Sequence, residues 1–143
     1  MSRRPNGTNL LRALGLGVAL ACMSGLVASA DEAGEREFMN SCASCHGVDG
    51  KGAGPVASAL SINIPKPLTG LSAENDGEFP MQKVIQIIDG RSGIRGHGTG
   101  AGMPIWGAVY KAPLAGDIGV YASEIAVRGR ILSLALYLES IQE

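Results

Sequence analysis

Cys42-Ala43-Ser44-Cys45-His46 constrains this chain more than any other stretch. Two thiols three positions apart, followed at once by an imidazole, form the pattern that covalent attachment of a c-type haem requires. Each sulfur can add to one vinyl group of a porphyrin, and the histidine can reach the iron from one face. A Cys-x-x-Cys pair alone also serves thioredoxin-like sites, zinc knuckles and disulfides. The histidine narrows that choice. A structural zinc site needs a second pair of ligands, whereas beyond residue 30 the sequence holds no third cysteine and, besides His46, only His97. A thioredoxin-like site would lie in an alternating strand-helix pattern, and none is present. A disulfide or dithiol site stays as the alternative to haem c.

The first thirty residues carry an export signature. Arg3, Arg4 and Arg12 make a positive start, Ala13 to Ala30 is uncharged, and Ala28-Ser29-Ala30 offers the small side chains of a cleavage site before Asp31. Residues 1–30 therefore read as a signal peptide and 31–143 as one domain. An uncleaved membrane anchor is the competing reading, although Gly15, Gly17 and Gly25 dilute the apolar run. Ser2-Arg3-Arg4 hints at a twin-arginine signal, but Pro5-Asn6-Gly7 lacks the apolar pair that should follow. Cys22, after Ala19-Leu20-Ala21, is a candidate for lipidation. Export to an oxidising compartment suits haem attachment outside the cytoplasm.

Of 143 residues, the part beyond the signal suffices for a single small domain. With two Phe, one Trp and three Tyr it has few large side chains from which to build a core. A buried porphyrin would supply a flat apolar surface for short helices to pack on. Signal cleavage would remove three of the twelve Lys and Arg but none of the thirteen Asp and Glu, which leaves a clearly acidic domain and argues against a nucleic-acid partner.

Helical periodicity dominates the rest, with no internal repeat and no alternating strand run. Gly34, Phe38 and Cys42, at successive four-residue steps, share one face of a helix that ends near the haem motif. A second helix begins around Pro80, turns Val84, Ile87 and Ile88 inward, and stops at Gly90. The last helix is capped by Ser123 and carries the apolar stripe Ile131, Leu134, Ala135, Leu138 and Ile141, with Tyr137 beside it. Glycine clusters at Gly47 to Gly54 and Gly90 to Gly107 read as loops wrapping a porphyrin edge, or simply as connectors.

A sixth iron ligand is sought in the second of these clusters. Met103-Pro104-Ile105-Trp106-Gly107 is the leading candidate, since a thioether is a soft neutral ligand and proline stiffens the loop that presents it. His97 is the rival, and an open or water-bound position the third option. Met39 and Met81 read as core filler.

These residues together resemble the class I bacterial cytochromes c, the periplasmic mono-haem type. The resemblance runs from Gly34 to about Gln142. It rests on Gly34-x-x-x-Phe38, Cys42 to Gly47, Gly52-Ala53-Gly54-Pro55, Met103 to Gly107, and the closing Leu134 to Ser140. It implies an all-α class I cytochrome c fold, with several short helices and glycine-rich loops around one haem bound through Cys42 and Cys45. It implies that Gly34 and Phe38 cross the last helix against Tyr137. It also implies that the Pro55 carbonyl accepts the second imidazole proton of His46, and that the Trp106 indole holds a haem propionate. His97 and its long glycine loop depart from the family pattern.

The resulting expectation is a one-electron carrier rather than an enzyme, with His46 and Met103 as axial ligands, working between respiratory or dehydrogenase partners in the periplasm. It would keep no membrane span after cleavage, and would act as a monomer or a subunit of a redox complex. Lys51, Lys66, Arg91, Arg95 and Lys111 fall in loop regions and could steer acidic partners toward the haem edge, or be ordinary solvated cations. The competing readings are a haem subunit of a larger oxidase or dehydrogenase, and a ligand-binding or peroxidase-like protein with an accessible iron.

Overall fold

The computed structural model describes residues 32–59, 66–90 and 104–143. The expected signal segment, Cys22, Arg91, Arg95, His97 and Met103 lie outside the described residues. Helix α1 covers residues 32–41 and runs almost directly into α2 (Ala43–His46). Then come α3 (Pro55–Ala59), two single 3₁₀ turns at Leu68–Gly70 and Ala73–Asn75, α4 (Met81–Asp89), α5 (Trp106–Lys111) and the long α6 (Ala115–Ser140). Among the described residues there is no strand, so the fold is the all-α one expected. Nor, among them, is any helix long and apolar enough to cross a membrane.

The crossing of α1 over α6 organises the rest. A Cβ on Gly34 would collide with the Ser133 carbonyl and come within 2.7 Å of Tyr137 Cβ, so only glycine lets the two backbones meet there. One turn on, Phe38 is fully buried, and its ring lies 5.3 Å from that of Tyr137. On the other side of the crossing Arg130 donates two hydrogen bonds to the Glu37 carboxylate, at 2.9 and 2.8 Å. Its guanidinium also stacks 3.9 Å over the Tyr110 ring, which ties α5 to the same junction.

The apolar stripe of α6 is as expected: Ile131, Leu134, Ala135 and Leu138 are buried, and Ile141 packs against the same core. The start of that helix is not. Ser123 lies inside it, wholly buried, with its hydroxyl donating to the Val120 carbonyl at 2.9 Å, and it caps nothing. The helix begins at Ala115 and breaks once, at Gly119, where φ 79° and ψ 166° leave the helical region. In α4, Val84 and Ile88 are buried and Gly90 ends the helix with a left-handed φ of 69°, while Pro80 stands just before the first turn. Met81 packs on the core, but Met39 is exposed rather than core filler, because α1 turns the Gly34 and Phe38 face inward and Met39 points away from it.

Candidate functional site

The haem motif is one turn of helix. The Cys42 amide donates to the Phe38 carbonyl at 2.8 Å, and those of Cys45 and His46 donate to the Cys42 carbonyl at 3.0 and 2.9 Å. Positions i, i+3 and i+4 of such a turn share a side, which brings both thiols and the imidazole together. After Gly47 the chain folds back on this turn: Gly52 N–H reaches the His46 carbonyl at 2.7 Å and Gly54 N–H reaches that of Cys45 at 3.1 Å. Gly54 lies so close to the Ser44 carbonyl that a Cβ there would clash, and this contact sets Pro55 and α3 beside α2.

Cys42 and His46 form part of the wall of an apolar cavity that encloses about 100 Å³ and opens to solvent. Leu68 and Leu71 close one side of it, Val84, Ile87 and Ile88 of α4 another, and Trp106, Leu134 and Leu138 complete it from α5 and α6. His46 is 7% exposed, a buried imidazole in an otherwise hydrocarbon wall. Burial pushes the Cys42 thiol up to about 12, with the Glu37 carboxylate and Cys45 adding to the effect. Cys42 and Cys45 are both free, and among the described residues no three His, Cys, Asp or Glu side chains are grouped to hold a metal ion.

Trp106 opens α5 and lies tilted against Tyr110, ring centres 5.4 Å apart. Tyr110 is itself buried, and that burial raises its hydroxyl pKa above the ordinary value. The three described members of the expected basic set are engaged in ion pairs: Lys51 with Glu143 at 2.5 Å, Lys66 with Glu74 at 3.1 Å and Lys111 with Glu124 at 3.1 Å. Lys111 ends helix α5 rather than sitting in a loop. Sequence reasoning missed Leu68 and Leu71 as cavity walls and the Glu37–Arg130–Tyr110 cluster behind Cys42. The Leu68-x-x-Leu71 spacing was the one signal available for the former.

A family model described as Cytochrome c matches residues 32–111, more than half of the chain. The chain belongs to the cytochrome c family. Comparison with curated proteins and with solved structures returns no match. Membership implies covalent haem c and a haem-based electron carrier, and the residues present in this cytochrome fit that group. Its two motif thiols and its imidazole stand on a single helical turn, with Cys42 and His46 in the wall of a cavity almost free of polar groups.

Proposed function

We propose that the cytochrome is an exported one-electron carrier in which Cys42 and Cys45 hold the haem by thioether bonds and His46 and Met103 are its axial ligands. The observation that carries this reading is the placement of Cys42 and His46, one helical turn apart, in the wall of a single apolar cavity. Haem c bound there supplies a one-electron iron couple. The protein supplies the rest. His46 ligates from the α2 side. The Pro55 carbonyl, at the head of the helix packed against α2, would accept the imidazole's other proton once haem is bound and so fix the orientation of the ring. Met103, three residues before Trp106 in the sequence, would supply the second iron ligand, a soft neutral thioether that favours the reduced state. The Trp106 N–H would hold a propionate while its ring packs on Tyr110.

Two protein ligands leave a substrate no open position, which favours a carrier over an enzyme. The cavity's hydrocarbon lining would keep water from the metal. Export through residues 1–30 brings the domain to the periplasm, where other redox proteins meet it through small, transient contacts.

Absorption spectra of the purified protein, wild type beside Met103→Ala and His97→Ala, test the ligand set. Loss of the weak long-wavelength methionine-to-iron band in Met103→Ala, with new binding of carbon monoxide to the reduced protein, is the expected result. A band that survives Met103→Ala and vanishes in His97→Ala would overturn the assignment, and rapid carbon monoxide binding by the wild type would favour a ligand-binding protein.

A further inference from the structure

The segment that brings Leu68 and Leu71 to the cavity is weakly self-supporting. It has two 3₁₀ turns of three residues each, a conformation with poor internal hydrogen bonding. Its fastenings come from elsewhere in the chain. Leu68 N–H donates to the Gly50 carbonyl at 2.7 Å, and the Glu143 N–H donates to the Thr69 carbonyl at 2.9 Å. Between these stands the Gln142 side chain, with a nearly complete set of partners. Its Nε2 donates to the Leu68 carbonyl at 2.8 Å and to the Leu138 carbonyl at 2.6 Å, and its Oε1 accepts from the Ser72 N–H at 2.8 Å. Turning the amide over would set its oxygen against two carbonyls, so one orientation is specified.

The three bonds join the parts that matter. Leu68 and Leu138 both line the cavity, Leu71 lies next to Ser72, and Gln142 lies two residues beyond the end of α6. From this we infer that Gln142 is a positioning residue for the haem pocket. Its amide clamps the Leu68–Ser72 wall onto the end of α6 and thereby fixes how much water reaches the cofactor. This rests on the carrier reading above. Burial and local dielectric are among the means by which a protein sets a haem potential, and the oxidised form, with the extra positive charge, gains more from water. Loosening the wall should therefore lower the reduction potential even where ligands and thioethers are unchanged.

Two variants of the haem-loaded protein test this. Gln142→Leu keeps similar bulk and removes all three bonds. Gln142→Glu keeps an acceptor for Ser72 N–H but, once ionised, places negative charge against the Leu68 and Leu138 carbonyls. Spectroelectrochemical titration should find that Gln142→Leu shifts the ferrous-to-ferric ratio at fixed poise toward ferric by roughly three- to tenfold, tenfold being about 59 mV for one electron. The methionine-to-iron band should stay, and the Ser72 amide should exchange with deuterium at least about tenfold faster, since its hydrogen bond is gone.

Gln142→Glu should lie near wild type when its carboxyl is protonated and can donate. It should approach the leucine variant as the pH rises through roughly 4 to 6, and this added pH dependence should be absent from wild type. Ser72 exchange that rises relative to wild type over the same pH range separates opening of the clamp from the direct effect of the new charge on the iron, and this variant carries the test if the leucine variant does not fold. A potential within about twofold in ratio of wild type in the folded variants, with only denaturation stability reduced, would overturn the inference. Wild-type protein without covalent haem would instead overturn the carrier reading, and Ser72 exchange alone would then judge the clamp.

Discussion

Cys42 and His46 were legible at the level of single residues because their chemistry depends on spacing within one helical turn, and a helical turn is a local property of the sequence. Gln142 was not. A polar residue near the end of a chain carries no pattern, and its partners at Leu68 and Ser72 are about seventy positions away. The thiols yield a direct prediction. Cys42→Ala and Cys45→Ala should each keep haem through the remaining sulfur, leaving one vinyl group conjugated with the ring. The reduced absorption bands should therefore move to longer wavelength, and a denaturing gel stained for haem should still show a coloured band. The double substitution should give a colourless band. Retention of covalent pigment in the double variant would show that attachment does not run through these two residues.

At the scale of elements, the helices that bury a periodic face were readable in advance, as Val84 and Ile88 of α4 and the Ile131 to Leu138 stripe of α6 show. The start of α6 was not, because a buried serine inside a helix, bonded to the carbonyl three residues back, has the same local sequence as one that caps it. The 3₁₀ wall was hidden for a related reason: elements of three residues have no period to detect, and tertiary bonds hold them in place. The α1–α6 crossing supports two predictions. Gly34→Ala puts a methyl group into the Ser133 backbone, where no side-chain rotation can relieve it, and should destabilise by about 1–3 kcal/mol in chemical denaturation, as overpacking does elsewhere. Arg130→Met leaves the partly buried Glu37 carboxylate without its two donors and the Tyr110 face without its cation, and should lose about 1–2 kcal/mol. Neither residue lines the cavity, so both variants should keep the wild-type absorption spectrum. A changed methionine-to-iron band in either would mean that the crossing governs ligation as well as stability.

For the molecule as a whole, the cavity couples folding to the cofactor. If an enclosed volume of about 100 Å³ were left empty, the cavity penalty of roughly 24 cal/mol per Å³ would be about 2 kcal/mol, a sizeable part of the stability of an ordinary domain. Water entering from the open side lowers that figure, yet a sparse aromatic core has little else to offset it. The contacts that survive without haem are those of the α1–α6 crossing: Gly34 on Ser133, Phe38 on Tyr137, and Glu37 paired with Arg130. Those expected to loosen are the walls, Leu68 and Leu71 and the inner face of α4, which would lose the cofactor they face. Haem-free protein, prepared as the Cys42→Ala/Cys45→Ala double variant, should therefore lose cooperative thermal unfolding and part of its helical circular dichroism. Hydrogen exchange should divide the chain in two, with amides near Phe38 and Leu134 still protected and those of α4 and the Leu68–Ser72 wall exchanging freely. Uniform protection matching that of the haem-loaded protein would show that helix packing alone holds the walls apart, and that the cofactor occupies a space the polypeptide maintains without it.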